Sequence, residues 1–281
     1  MMFLIFESIW KLYVQFDKSV DDDKNKTAYK LQCDVVRGQT EIKDGMYNDF
    51  CKKLVRNLGS FSSNHTNVGL NSESCQFLNQ WVYYMTIKYD IPDNFTSEIF
   101  DNSNDKISVM NIKRVCPYYS YKEKIKEPTN LIKVINLSIV MNDLVSILMQ
   151  DKAENSCSCR NFVSECTNIY KRINRDYCSS EKQDPVYLNT CSQLGTFRTT
   201  YEFIINSNPD LNSKLPSLTN DTMKVLIPCE SEESRKELTS TTSDVHTQDS
   251  PIKIGTNAVL GTMAGVSSLF ALSYKVNILF I

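Results

Sequence analysis

The stretch from Leu131 to Met149, LIKVINLSIVMNDLVSILM, is long and apolar enough to be either a membrane span or a packed core helix. It also contains Lys133, Asn136, Asn142 and Asp143. A Lys or an Asp near the middle of a span costs about 2.5–3.5 kcal/mol on insertion scales. The apolar residues recur at steps of three and four, the spacing of a helix with one packed face: Val134, Leu137, Met141, Leu144 and Leu148. We therefore predict the central core helix of an all-α domain.

Four other segments show the same helical periodicity. Their apolar faces consist of Met46, Phe50, Leu54 and Leu58; Cys75, Leu78, Val82, Met85 and Tyr89; Phe162, Cys166, Ile169, Ile173 and Tyr177; and Tyr187, Cys191, Leu194, Tyr201 and Ile205. Gly59, Pro92 and Pro209 follow three of these segments, and such residues end helices. The N-terminal stretch 1–16 lacks the basic region and cleavage site of a signal peptide. It predicts a first, partly buried helix.

Ten cysteines lie before residue 230, which favours an oxidised, extracytoplasmic domain. All ten are disulfide candidates: Cys33, Cys51, Cys75, Cys116, Cys157, Cys159, Cys166, Cys178, Cys191 and Cys229. Cys51, Cys75, Cys166 and Cys191 lie on or next to the apolar faces of predicted helices. A disulfide at such a position joins two helices and contributes about 2–4 kcal/mol. The sequence leaves the pairing open, except that Cys157 and Cys159 are too close to pair with each other.

The composition excludes several kinds of chemistry. The chain has 281 residues, a net charge of −2, only 8 glycines and only two histidines, His65 and His246. We therefore expect no nucleic-acid binding, no cofactor, no small-molecule substrate and no catalytic site. One alternative is zinc bound by Cys157, Cys159, Cys166 and Cys178, although paired C-x2-C knuckles are absent. The acidic run 21–23 indicates a solvated loop rather than a cation site.

The C-terminal part changes in composition twice. Residues 230–250 include nine Ser or Thr and six Asp or Glu, and they predict a disordered stalk. Residues 258–274, AVLGTMAGVSSLFALSY, carry no charge and are the best candidate for a span in a lipid bilayer. Gly261 and Gly265 form a GxxxG pair that permits close helix packing in the membrane. We predict a Cys-rich helical ectodomain (1–229), a stalk (230–256), a transmembrane helix (257–275) and a short tail (276–281). A buried C-terminal helix is the alternative for the span.

Two further sets of residues are candidates for modification or for ligand contact. Five N-x-S/T sequons mark possible N-glycosylation sites at Asn25, Asn64, Asn94, Asn136 and Asn220. Five tyrosines, Tyr83, Tyr84, Tyr118, Tyr119 and Tyr121, either contact a ligand or pack the helical core. We favour packing.

Several blocks resemble the Plasmodium interspersed-repeat (PIR) variant proteins, particularly the Vir proteins of the vivax malaria parasite. SCQFLNQWVYYM (residues 74–85) is similar to a family motif, C-x-[FY]-L-x-x-W-[LV]-Y-Y, and YNDFCKKLVRNLGSF (47–61) resembles the helix before it. CSCRNFVSEC (157–166), DYC (176–178), CSQLGTFRTTY (191–201), LIPC (226–229) and GTMAGVSSLFALSYK (261–275) are similar to later blocks. The family usually continues with a basic cytoplasmic tail, whereas this sequence ends in VNILFI.

The resemblance implies a helical, disulfide-linked ectodomain with a single C-terminal span. It also implies a variant antigen exported to the infected red cell or the parasite surface, with a host receptor or immune protein as a possible partner. The alternatives are a structural protein of internal membranes, a membrane-tethered enzyme and a non-functional truncated paralogue.

Overall fold

We describe the fold from a computed structural model, in residues 7–43, 45–59, 61, 70–109, 115–149, 156–179, 183–212 and 214–220. Within these ranges the chain forms helices and no strands. The helices are α1 (Glu7–Asp17), α2 (Lys26–Thr40), α3 (Asn48–Leu58), α4 (Ser72–Tyr89), α5 (Asp93–Val109), α6 (Tyr121–Lys124), α7 (Pro128–Leu148), α8 (Ser156–Ile173), α9 (Pro185–Ser207) and α10 (Pro209–Asn212). A π-helical turn, Asn174–Cys178, continues α8. The all-α prediction is confirmed for this part of the chain.

The helices form two groups that share one apolar core. In the first group α2 packs on α3 and α5, and α1 packs on α4. In the second, α7 packs on both α8 and α9. The short helix α6 contacts α4 on one side and α9 on the other, so it lies between the groups.

The apolar stretch at residues 131–149 lies in α7, which ends at Leu148. Leu131, Val134, Leu137 and Leu144 are fully buried. By length and composition α7 is the one helix among the described residues that could cross a membrane, but 50% of its most apolar window is buried inside the protein. This burial and its packing on α8 and α9 are the pattern of a core helix, as predicted.

Local signals set the helix ends. The Asn71 side chain accepts a hydrogen bond from the backbone N–H of Ser74 at 2.6 Å and so caps α4. The Asp184 side chain caps α9 in the same way, through the N–H of Val186 at 2.8 Å. Gly59 ends α3 with a φ of 82°, the left-handed conformation that glycine adopts without steric cost.

The structure departs from the predicted helices in two respects. The helices α2 and α5 and the short helices α6 and α10 were not predicted. Two residues assigned to apolar faces, Met46 and Tyr89, are exposed, because Met46 precedes α3 and Tyr89 is the last residue of α4. The predicted stalk, the span with Gly261 and Gly265, and the tail lie outside the described residues.

Candidate functional site

Three disulfides join helices or fix the segments beside them. Cys33–Cys51 joins α2 to α3 with Cα atoms 5.9 Å apart, and Cys75–Cys116 joins α4 to the segment before α6. Cys178–Cys191 joins the π-helical turn to α9 with Cα atoms 5.6 Å apart. Cys157 is also disulfide-bonded, and Cys229 lies outside the described residues.

Two of the ten predicted disulfide cysteines are instead free thiols, Cys159 and Cys166. Both are fully buried in α8, two helical turns apart, which places them about 10 Å apart along the axis and too far to pair. The Cys166 S–H donates a weak hydrogen bond to the Lys133 carbonyl at 3.7 Å. Burial raises the pKa of the Cys159 thiol to about 11 and that of Cys166 well above its ordinary value. Cys166 therefore lies against α7, and both thiols are part of the buried core.

The zinc alternative is wrong for its cysteine set, because Cys178 is bonded to Cys191 and Cys157 is also in a disulfide. In the part of the chain that the structure describes, no three His, Cys, Asp or Glu side chains are grouped to hold a metal ion.

The five candidate tyrosines pack against one another and the core. The Tyr83 ring lies 5.3 Å from Tyr84 and 6.0 Å from Tyr121, and Tyr119 lies 5.0 Å from Tyr121 between ring centroids. Tyr118 packs on Phe100 at 5.1 Å. Burial raises the pKa of Tyr121 to about 12. In the described residues this cluster therefore has the packing role that the sequence analysis favoured.

The sequons differ in exposure. Asn94 and Asn220 are exposed. Asn25 is half-buried and donates through Nδ2 to the Phe61 carbonyl at 3.0 Å. Asn136 is half-buried and accepts from Gln80. Asn64 lies outside the described residues, and glycosylation at all five remains a prediction.

A cleft that the sequence analysis missed lies where α1, α3 and α4 meet; we call it the α1–α3–α4 cleft. It is partly open to solvent and has a volume of about 360 Å³. Its polar lining includes Asp17, Asn48, Asp49 and Lys53. Its apolar lining consists of Tyr47, Phe50, Trp81, Met85, Tyr89 and Ile91. Its residues come from three helices and two loops, and no single sequence segment shows it.

On the charged side of the cleft, the Lys53 ammonium group forms ion pairs with two carboxylates, those of Asp17 and Asp49. Lys53 Nζ lies 3.2 Å from Asp17 Oδ1 and 2.8 Å from Asp49 Oδ2. Burial raises the pKa of Asp17, which the Lys53 charge opposes. The other Asp17 oxygen, Oδ2, is buried and accepts no hydrogen bond.

Two aromatic residues of the cleft lining, Phe50 and Trp81, are stacked. The rings of Phe50 and Trp81 lie 5.7 Å apart at 19°, and Phe16 lies 6.3 Å from Trp81. Trp81 is 2% exposed, and its Nε1–H is buried with no hydrogen-bond acceptor. Two residues of the lining, Asp17 and Trp81, thus each bury one polar atom without a hydrogen-bond partner, which native proteins seldom do.

A comparison with known protein families supports the resemblance that the sequence motifs indicate. A family model described as the Plasmodium vivax Vir protein matches residues 8–250. No curated protein and no solved structure matches the chain. The residues of the three disulfides, the tyrosine cluster and the α1–α3–α4 cleft lie within the matched range. The chain therefore belongs to the Plasmodium Vir family.

Proposed function

We propose that this protein is a membrane-anchored variant surface antigen that serves antigenic variation and immune evasion, or adhesion to a host receptor, without catalysing a reaction. The observation that carries the proposal is the Vir match over residues 8–250. A single span at 257–275 would hold the helical domain at the membrane of the infected red cell or the parasite, with the 230–256 stalk between them.

The disulfides support an extracytoplasmic location. Disulfides persist in oxidising compartments and are rare in a reducing cytosol. The three bridges fix segments in both helix groups, so the backbone would keep its fold if exposed side chains changed. A cross-linked scaffold that tolerates changes on its surface would suit a variant antigen.

Exposed apolar residues offer surface for a partner. Leu31 and Val35 lie one turn apart on α2 and are 61% and 55% exposed, and Phe203 on α9 is 70% exposed. Aromatic side chains are enriched among residues that dominate binding energy. These positions are therefore the first to substitute in a search for a host-receptor contact.

The test is antibody staining of infected red cells before and after permeabilisation. Antibodies raised against the disulfide-bonded protein are expected to stain intact cells. Staining that appears only after permeabilisation would contradict surface display and favour the internal-membrane alternative. Absence of the protein at all blood stages would favour the non-functional paralogue.

A further inference from the structure

We propose that the Cys178–Cys191 disulfide is a redox switch: an external dithiol reduces it in the folded protein while the other two described bridges stay oxidised, and its reduction releases the end of α8 from α9. The proposal goes beyond the proposed function and does not depend on where the protein is displayed. Its failure would therefore leave surface display unaffected.

The first argument is the difference in exposure among the three bridges. Both cysteines of the α2–α3 bridge are 0% exposed, and those of the α4 bridge are 9% and 3% exposed. Cys178 and Cys191, by contrast, are both partly exposed. A thiolate must reach a disulfide sulfur to attack it, and exposed bridges are the ones that are reduced readily. Exposure therefore ranks Cys178–Cys191 as the most reducible of the three.

The second argument is that this bridge can open without unfolding the core. It spans 13 residues, whereas the other two span 18 and 41 residues. Cys178 ends the π-helical turn 174–178, and none of the five residues of that turn is buried. A segment with few buried contacts opens locally at a low free-energy cost, whereas opening a core helix costs much more. A motion confined to this turn is therefore enough to present the bridge to a reductant.

The third argument is what the bridge holds in place. The Tyr177 ring packs on Tyr187 of α9 with the ring centroids 5.7 Å apart, and the Tyr177 hydroxyl donates to Glu127 Oε1 at 3.3 Å. The bridge is the covalent link between the turn that carries Tyr177 and the helix that carries Tyr187. A π-helical turn is a rare geometry that is frequent at functional sites. Once the bridge is reduced, the turn can separate from α9, and the junction between α8 and α9 opens.

The reaction is a two-electron thiol–disulfide exchange. A thiolate of the dithiol attacks one sulfur of the bridge, the S–S bond breaks, and the other sulfur leaves as a thiolate that takes up a proton. The second thiol of the reductant, also as a thiolate, then attacks the mixed disulfide. The reductant ends as a disulfide and the protein as two thiols, which have gained the two protons that the reductant lost. The reduced Cys191 thiol has an acceptor beside it, because the Tyr177 carbonyl oxygen lies 3.7 Å from its sulfur.

The experiment follows each bridge in the full-length, disulfide-bonded protein in detergent micelles, with dithiothreitol as the dithiol. Samples from graded dithiothreitol concentrations are quenched in acid, freed of dithiothreitol, denatured and alkylated, and peptide mass spectrometry gives the reduced fraction of each cysteine. Cys159 and Cys166 are the internal reference, because they are free thiols at every concentration. We expect Cys178 and Cys191 to be half-reduced at a dithiothreitol concentration about tenfold or more below that of the other two bridges.

Hydrogen exchange measures whether reduction releases the junction. The oxidised protein is compared with the protein in which Cys178–Cys191 alone is reduced. We expect the backbone amides of residues 174–191 to exchange faster in the reduced form, while those of α2 and α3 keep their protection.

Two variants test that the opening is local. Tyr177→Ala removes the contacts with Tyr187 and Glu127, so it is expected to speed the reduction of Cys178–Cys191 about threefold to tenfold without affecting the other two bridges. Phe203→Ala is the matched control, because Phe203 is an aromatic residue of α9 that is 70% exposed. It is expected to leave all three reduction rates unchanged.

Three outcomes overturn the proposal. Reduction of all three bridges at the same concentration would show that they open together when the whole domain unfolds. Reduction of Cys178–Cys191 after the others would show that it is the protected bridge. Selective reduction without faster exchange at residues 174–191 would show that the bridge does not lock the junction. The comparison of bridges needs no variant, so it decides the question even if the Tyr177→Ala protein does not fold.

Discussion

Gln80 of α4 donates through Nε2 to Asn136 Oδ1 of α7 at 2.9 Å, and its own Oε1 accepts from the Tyr13 hydroxyl of α1 at 2.7 Å. Gln80 is 0% exposed. One buried amide therefore links the two helix groups, and it lies in the same motif segment as Cys75 and Trp81. Buried polar links of this kind are costly to break because each partner loses its hydrogen bond.

The first prediction concerns this link. The Gln80→Ala substitution is expected to lower the free energy of unfolding by about 2–4 kcal/mol, because it leaves Tyr13 and Asn136 unpaired and opens a cavity. The matched control is Gln15→Ala on α1, where the side chain is exposed and the change is expected to fall within about 0.5 kcal/mol. Chemical denaturation measures both. Equal effects would show that the Gln80 link does not stabilise the fold.

The second prediction concerns glycosylation. Asn136 lies half-buried between α4 and α7 with its amide oxygen bonded to Gln80, so a glycan there would separate the two helices. We expect Asn136 to be unmodified even when the protein is made in a glycosylating host cell. Exposed Asn94 and Asn220 provide the comparison. Peptide mass spectrometry gives the occupancy of each site, and a folded protein with glycan on Asn136 would refute the packing described here.

The third prediction is the state of the cysteines. Three bridges and the bonded Cys157 account for seven cysteines, and Cys159 and Cys166 are free. Cys229 is the one cysteine of the ten that this leaves, so we predict that it is the partner of Cys157. Alkylation of the folded protein should modify no thiol, because Cys159 and Cys166 are buried and their pKa values are raised. Alkylation after denaturation without reduction should modify these two alone, and any other number contradicts the assignment.

The fourth prediction concerns the bridges. Removing Cys75–Cys116 by Ala substitution at both residues is expected to cost about 4 kcal/mol, since the bridge closes a loop of 41 residues. Removing Cys178–Cys191, which spans 13 residues, should cost about 3 kcal/mol. Thermal and chemical unfolding measure the two losses. A smaller loss for the longer loop would mean that the chain-entropy account does not apply here.

The fifth prediction is a pH dependence at the start of α7. The Glu127 carboxylate pairs with Arg172 and accepts from Asn130 Nδ2 at 2.7 Å. The Arg172 hydrogen bond in particular lowers the pKa of Glu127 below its ordinary value of 4.5. A carboxylate with a lowered folded pKa stabilises the protein above its unfolded pKa, and this contribution is lost as the pH falls through the folded value.

The Glu127→Gln substitution therefore should cost about 1 kcal/mol at pH 7 and less at pH 3. Asp105→Asn is the control, because Asp105 is exposed on α5. Unfolding free energies at the two pH values provide the test. A loss that does not change between pH 7 and pH 3 would show that the Glu127 charge has no such role.

The sequence predicted the helices with a simple apolar face. In α3, Phe50, Leu54 and Leu58 are buried at the expected spacing, and α7 is the core helix that its charged residues indicated. The two long helices that were not predicted bury apolar residues at helical spacing, Tyr29, Cys33 and Val36 in α2 and Phe95, Ile99 and Ile107 in α5, but polar residues share these buried faces. Gln32 and Arg37 are buried in α2, and Ser103 is buried in α5, where Gln32 bonds to it at 2.8 Å. These polar residues interrupt the apolar pattern of the two helices, which makes their periodicity less evident in the sequence.

Neither the cysteine pairing nor the cleft could be predicted from the sequence, because both depend on how the helices are arranged in three dimensions. Cys33 and Cys51 are 18 residues apart, and nothing in their spacing distinguishes them from Cys159 or Cys166. The cleft brings Asp17 together with Lys53 and Trp81 from three helices. The Trp81 motif could be recognised in the sequence, but the unpaired indole N–H depends on what α1 and α3 place beside it.

The central claim is that the helical domain faces the outside of the cell, and the most direct measurement is protease treatment of intact infected red cells. An epitope tag is placed near Ser240, where Arg235 and Lys236 offer trypsin sites. We predict that trypsin removes the full-length tagged band from intact cells. A band that survives until the membrane is permeabilised would contradict surface display.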